Sequence, residues 1–297
     1  MVLRMIRGNC KLALDIGGSS VKYGLIQDDT VTFYNELPVL STDNAAGIIG
    51  SFQSAIRLCK AEAQQRQLSI SSLGVSVPGP FDYINGISLM KHKYTAIYGM
   101  PLRRFLVEPL GDIPLRFVSD AGAFLLGAIE VLKIASNRVC GITIGTGIGF
   151  AGVIDGKLQC NTEGGPMLTL FSMPYLNGCT EDYVSRRALE KRYADLGGSC
   201  ISVQEMAMRA RCNEQIAKAL FEMVGTDIVR IMSPIMDQHR FSCLVIGGQI
   251  GKAFDLMCPA MDREMQQKGK TFDILPAGEI MQAALLGAAK ISLEEQR

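Results

Sequence analysis

Three glycine turns, each following a short apolar run, hold the residues that could do chemistry in this sequence. The first is Asp15-Ile-Gly-Gly-Ser-Ser-Val-Lys22. Gly17 and Gly18 let the backbone approach a ligand closely and adopt φ > 0. Backbone N–H groups, the Ser19 and Ser20 hydroxyls and the Lys22 ammonium form a donor set that suits phosphate oxygens. Asp15, at a strand end, suits a hydrated Mg²⁺, a hard ion that prefers oxygen ligands and keeps its waters. The second turn is Gly145-Thr146-Gly147, and the third is Gly247-Gly248-Gln249. A single such turn can equally be an ordinary glycine hairpin. Three in this order predict a nucleotide held across a cleft, with two phosphate-gripping hairpins and a third turn at the base or ribose.

The elements that must position these turns read as an α/β chain. Strands are expected over 11–16, 21–27 and 31–37, with Asp28-Asp29 as a turn. A helix follows over 42–67, capped by Asn44, with Ile48, Ile49, Phe52, Ala55, Ile56 and Cys59 at helical spacing. Residues 73–77 form a short buried strand ending at Pro78-Gly79-Pro80. A helix over 100–106 opens on Pro101, since proline fits the first helical position. A strand over 115–118 leads through Ser119-Asp120 into a helix over 121–134. The pattern then restarts with strands at 139–144 and 149–154, and Asp155-Gly156 is a strong hairpin turn into a strand over 157–160. Helices are expected over 182–196, 202–212 and 213–236, a strand over 241–246, and a closing helix from 279 to 293. A hairpin with a glycine turn thus occurs twice, a weak repeat of architecture. Two α/β domains sharing a ligand between them are expected, because clefts between domains are usual ligand sites. The first spans 1–118 with the closing segment 279–297, the second 119–278.

Composition narrows the function classes. The chain has 297 residues, 48% hydrophobic and 20% charged, so a sizeable core is possible. A net charge of +1 without a long basic run gives no electrostatic case for nucleic acid or an anionic membrane. The first ten residues are too short and charged for a signal peptide, and no apolar stretch approaches a membrane span. Nine scattered cysteines, with no C-x-x-C pair, point to a reduced cytoplasmic protein.

Over nearly its whole length the chain resembles the ROK family (repressor, open reading frame, kinase) of the actin-like ATPase superfamily. The resemblance rests on an ordered set: Asp15-Ile-Gly-Gly-Ser-Ser-Val-Lys22, Val77-Pro-Gly-Pro80, Ser119-Asp-Ala121, Thr143-Ile-Gly-Thr-Gly-Ile-Gly149, Asp155-Gly-Lys157, Gly178-Cys-Thr-Glu181, Val245-Ile-Gly-Gly248 and Leu286-Gly-Ala-Ala289. It implies two ribonuclease H-like domains with an interdomain cleft, the closing helix returning to the first. It further implies an ATP- and Mg²⁺-dependent kinase that phosphorylates a hydroxyl of a small-molecule sugar. The family's catalytic aspartate falls on Asp120. A sugar hydroxyl is a poor nucleophile, and a carboxylate within hydrogen-bond reach takes its proton. Asp120 is also placed to cap the helix that follows it. Substrate contacts are expected at Gly79, Ser119, Asp120, Glu163 and, in the loop Met90-Lys-His-Lys-Tyr94, at His92. A homodimer is expected.

Departures from the family pattern bear on substrate and metal. Ser119 stands where the family has an Asn, and Pro166 replaces the His of the sugar-contacting segment. Turnover of glucose is therefore expected to be weak. Only Cys179 stands where the family's structural zinc needs a His and three Cys, so no zinc is expected. A non-catalytic sugar- or nucleotide-binding sensor is the alternative function. A DNA-binding repressor is not expected, since the first strand begins near residue 11.

Overall fold

A computed structural model describes residues 8–278 and 282–292. The chain is a mixed α/β protein that divides into two units. One holds the chain up to Lys133, the segment Cys160–Pro166 and the closing helix; the other holds Ile134–Gln159 and the chain from Met167 onward. The sequence placed this division near Ser119-Asp120. It falls instead after the helix Asp120–Val131, which stays with the sheet that feeds it.

The first unit is built on a five-stranded sheet, in the order Thr30–Pro38, Ser20–Gln27, Gly8–Ile16, Leu68–Val77, Leu115–Ser119. The first three strands are antiparallel neighbours, and the last two run parallel to Gly8–Ile16. Leu12, Ala13 and Leu14 are all buried, as befits a central strand covered on both faces. Leu12 and Leu14 join the cluster that holds Ile48, Phe52, Ala55, Ile56 and Cys59 of the helix Ala45–Gln65. Asn44 caps that helix through Oδ1, which accepts from Gly47 N. The opposite face is lined by small residues so that the helix Ala283–Ile291 can lie close. A Cβ on Gly74 would sit 1.9 Å from the Ala288 carbonyl oxygen. The same helix crosses Asp120–Val131 at glycines: a Cβ on Gly127 would lie 1.8 Å from Ala283 O, and one on Gly287 1.8 Å from Ala123 O.

The second unit repeats the plan. Its five-stranded sheet runs Lys157–Leu158, Ile148–Ile154, Arg138–Ile144, Cys243–Gly247, Asp273–Pro276. Counted along the chain within each unit, both sheets have the order third, second, first, fourth, fifth. Asp155 and Gly156 carry φ of 52° and 76°, the left-handed pair that a tight hairpin requires. The helices Arg186–Asp195, Val203–Arg211, Gln215–His239 and Phe254–Lys268 contribute Leu189, Met206, Phe221, Ile228 and Met257 to its core.

Several expected elements differ. The helix over 100–106 is only Arg103–Val107. Gly99 N donates to Ser88 O and Leu102 N to Gly86 O, which pins Pro101 in a bridge with Ile87 rather than a helical turn. The helix over 182–196 begins at Arg186, because Ser185 caps it, with a 3₁₀ turn before it. The strand over 157–160 stops at Leu158, and Cys160 bridges Pro166 instead. The sequence reading missed the helix Phe254–Lys268, which contains Pro259, and the strand Asp273–Pro276. Residues 279–281 and 293–297 of the expected closing helix lie outside the described residues. Among the described residues, no helix is long and apolar enough to cross a membrane.

Candidate active site

In the first unit the polar residues of interest gather where the parallel strands end, the edge that open α/β sheets offer to ligands. Register places Asp15 beside Ser76, and Val77 beside Ser119. Ser76 Oγ donates to Asp15 Oδ1 over 2.8 Å, while Asp15 also faces Lys22 across the antiparallel pair. The turn between them is tied at both ends. Gly17 N donates to Ser20 O (2.8 Å), and Val39 N donates to Ser19 O (2.9 Å). Neither Gly17 nor Gly18 has a positive φ, so left-handed geometry is not why glycine stands there. Gly18 is exposed, and a Cβ added to it meets nothing within 4 Å. Its missing side chain leaves the turn's surface open.

Asp120 is the first residue of the helix Asp120–Val131, and Ser119 is the cap. Ser119 Oγ accepts from Gly122 N at 3.1 Å, and the residue is 4% exposed. The capping role that the sequence offered to Asp120 therefore falls one residue earlier. Asp120 Oδ1 accepts a short-range bond from Ala121 N, at 2.8 Å. Its side chain is open to water, yet protein crowds it, and desolvation pushes its carboxyl above the usual aspartate range. The Ala121 N–H and the Lys93 ammonium act in the opposite direction. Water access limits the net rise. Asp15 is also raised, mainly by desolvation; Ser76 and Lys22 oppose that and the Asp120 charge adds to it.

Three neighbours complete this edge, and the two tyrosines among them were not singled out in the sequence. Tyr83 is buried, and its hydroxyl donates to Val77 O (3.1 Å). Its backbone N donates to Glu163 O (2.9 Å), which holds the segment Cys160–Pro166 on this unit. Asn161 Oδ1 shapes that segment by accepting from Glu163 N and Gly165 N. Tyr94 is buried with φ of 52°, and its hydroxyl donates to Gly17 O (2.6 Å). Lys93 is half-buried and acts electrostatically on Asp120. His92, Gly79 and Glu163 are exposed, and neither the His92 ring nor the Glu163 carboxylate has a hydrogen-bond partner among the described residues.

In the second unit the other two turns adjoin. Gly145 N donates to Gly147 O (2.9 Å), and Arg186 N donates to Gly145 O (2.8 Å), fixing the loop to the start of a helix. Thr146 is exposed, and a Cβ on Gly145 meets nothing within 4 Å. Gly147 is closed instead: a Cβ there would lie 2.2 Å from Glu181 Oε1. Glu181 was not among the candidate residues, although its motif had been noted. Gly247 ends its strand beside Thr143. Gly248 has φ of 83°, and its Cβ would lie 2.4 Å from Ile144 O, so this glycine is required by both conformation and close approach. Gln249 is exposed.

Metal ligation has limited material. Among the described residues no group of three or more His, Cys, Asp or Glu comes together. Cys179 is half-buried and donates to Asp182 Oδ2 at 3.1 Å. Among the described residues, Asp15 Oδ2 has no hydrogen-bond partner. One free carboxylate oxygen fits Mg²⁺, which characteristically binds through one or two carboxylates, phosphates and waters.

A family model described as "ROK family" matches residues 11–295. An N-acetylmannosamine kinase of Salmonella paratyphi A is 26% identical over 292 residues, covering 95% of this chain and 97% of the relative. The ROK family glucokinase of Streptomyces griseus, solved with glucose and AMPPNP, matches with a TM-score of 0.77 at 18% identity, over 95% of this chain and 99% of that one. A ROK family transcriptional regulator, homologous to the E. coli MLC protein, matches at 0.81 with 16% identity, over 97% of this chain and 78% of that one. These structural likenesses establish the actin-like ATPase fold. The same fold thus serves a kinase and a regulator, and the site must decide between them. With a match to nearly its full length, the chain belongs to the ROK family.

Proposed function

We propose that the protein is an ATP-dependent sugar kinase in which Asp120 is the general base. The observation that carries this reading is the freedom of the Asp120 carboxylate. Ser119 does the capping, so Asp120 is left water-accessible at the carboxyl ends of the parallel strands. In the reaction, the Asp120 carboxylate takes the proton of a sugar hydroxyl as that oxygen bonds to the γ-phosphorus. The bond from the γ-phosphorus to the bridging oxygen breaks, and ADP leaves with the electron pair. The direct contribution of such a base is about 10²–10⁴ in rate.

The rest of phosphoryl transfer is positioning and charge neutralisation. In the first unit, the backbone N–H groups of Gly17 to Ser20, the two serine hydroxyls and Lys22 are the proposed phosphate donors. In the second, the Gly145-Thr146-Gly147 turn, open at Gly145 and Thr146, takes that role, and the Gly247-Gly248-Gln249 turn is the proposed contact to the base or ribose. Mg²⁺, when bound, would neutralise phosphate charge, with Asp15 Oδ2 as its proposed protein ligand. Gly79, His92, Ser119 and Glu163 are the proposed sugar contacts, Ser119 through a hydroxyl hydrogen that capping leaves free.

N-acetylmannosamine is the first acceptor to test, because the aligned N-acetylmannosamine kinase spans almost the whole chain. ADP release should be measured over a panel of hexoses and N-acetylhexosamines, with and without Mg²⁺. Magnesium-dependent ADP release with at least one sugar supports the kinase. Sugar or nucleotide binding with no transfer to any of them overturns it in favour of a sensor.

A further inference from the structure

Glu163 is the proposed sugar contact that stands on the segment Cys160–Pro166, and its backbone is held while its side chain is not. Glu163 N donates to Asn161 Oδ1 (2.9 Å), and Glu163 O accepts from Tyr83 N (2.9 Å). The Glu163 carboxylate is exposed, with no hydrogen-bond or ion-pair partner among the described residues. Both backbone groups of this residue are thus engaged, and its charged end is left for something outside the chain.

Asn161 closes the loop that achieves this. Its Oδ1 accepts from Gly165 N as well as from Glu163 N, both at 2.9 Å. Asn161 N donates to Gly165 O (2.9 Å), and Gly164 N donates to Asn161 O (3.0 Å), so one residue gathers the backbone of 163–165. Two glycines let this loop lie against Tyr83. Gly164 has φ of 75°, and its Cβ would lie 3.0 Å from Tyr83 Cβ. A Cβ on Gly165 would lie 3.2 Å from Asn161 Nδ2 and 3.5 Å from Tyr83 Cε2. Tyr83 is buried, and its hydroxyl donates to Val77 O (3.1 Å), with Val77 beside Ser119 in the sheet. Asn161 shapes the loop, and Tyr83 ties it to the edge that bears Ser119 and Asp120.

We propose that Asn161 is a positioning residue for Glu163: its amide oxygen, by holding two backbone N–H groups, presents the Glu163 carboxylate to the hydroxyls of the acceptor sugar. The inference rests on the reading of the protein as a sugar kinase with Glu163 as a sugar contact. A loop that must be ordered when its ligand arrives weakens binding, and a loop fixed beforehand does not. Asn161 therefore acts on how tightly the acceptor is held. Proton removal stays with Asp120, and the phosphate-binding turns are untouched.

The test uses Asn161→Ala, which removes the acceptor oxygen, and Asn161→Asp, which keeps one, each made in the full chain with Glu163 and with Glu163→Ala. Hydrogen exchange at the Glu163 and Gly165 amides, read by NMR without nucleotide or sugar, should quicken in Asn161→Ala and stay slow in Asn161→Asp. With the best acceptor of the sugar panel, Asn161→Ala should raise the acceptor KM about tenfold, the lower end of what a lost bond to a charged group costs. The kcat and the KM for ATP should hold within about twofold, the pattern of lost ground-state binding. Asn161→Asp should restore the acceptor KM. In Glu163→Ala, Asn161→Ala should add almost nothing, because the group it positions is gone. Unchanged amide exchange overturns the proposal, as does an acceptor KM that stays in place in Asn161→Ala or rises as much in Glu163→Ala. If the wild type transfers phosphate to no sugar, the same cycle is read on sugar affinity by calorimetry. Coupling there supports the presentation of Glu163 while refuting the kinase, and a wild type that binds no sugar overturns both.

Discussion

Replacing Gly127 with alanine should open the packing that holds the Asp120 helix. The added Cβ would sit 1.8 Å from Ala283 O, 2.5 Å from its carbonyl carbon and 2.8 Å from its Cα. Ordinary contacts of carbon need about 3.5–4.0 Å, so the two helices must part by more than about 1 Å. Sliding gives no relief, because Gly287 meets Ala123 O at the same crossing with the same 1.8 Å approach. Overpacking typically costs about 1–3 kcal/mol, and a contact this short against backbone belongs at the upper end. Alanine's better helix propensity returns about 1 kcal/mol. The net loss should be about 1–2 kcal/mol. Gly50→Ala is the control. Gly50 lies inside the helix Ala45–Gln65, where a Cβ meets nothing within 4 Å, so the propensity gain of about 0.5–1 kcal/mol should appear alone. Urea unfolding of both variants, compared at equal m-values, reads the difference. If Gly127→Ala and Gly50→Ala shift the midpoint in the same direction, the close helix crossing is wrong.

Further outcomes follow from the site. Ser119→Ala should lose about 0.5–2 kcal/mol of stability because it removes the cap, as thermal or urea unfolding will show. Gly145→Val should fold with nearly wild-type stability, since its side chain enters open space, but calorimetry should find ATP binding lost. Gly248→Ala should instead destabilise the fold, because its φ and the Ile144 carbonyl both exclude a side chain. Folding raises the Asp120 carboxyl, so the ionised group opposes folding. That penalty is absent at acid pH and grows as pH rises from the ordinary aspartate range to the raised value. Asp120→Asn should therefore unfold no more easily than wild type at neutral pH, and the gap should close toward acid pH.

Much of the fold was legible because local patterns dominate it. The hairpins around Gly17–Gly18, Gly145–Gly147 and Asp155–Gly156, the Asn44 cap and the apolar stripe of Ala45–Gln65 are written in short-range residue choices. Phe254–Lys268 was not legible, since Pro259 and a mixed polar surface mask its pattern, and Met257, Ala260 and Met261 are buried only by tertiary packing. The candidate site divides in the same way. Its glycine turns and Asp120 sit in recognisable motifs, while Tyr83 and Tyr94 join it through bonds such as that of Tyr94 to Gly17, 77 residues apart in sequence. Glycine's role also needed structure. Only Gly248 uses a left-handed backbone among the site glycines, whereas Gly18 and Gly145 are open where a side chain would stand.

The central claim is that Asp120 takes the proton of a sugar hydroxyl, and Asp120→Asn tests it most directly. Asparagine keeps the size and one carbonyl oxygen able to accept from Ala121 N, and Ser119 continues to cap the helix. ATP affinity should be retained, and phosphoryl transfer to the best acceptor should fall by about 10²–10⁴. Transfer at the wild-type rate by a folded, ATP-binding Asp120→Asn protein would contradict the account.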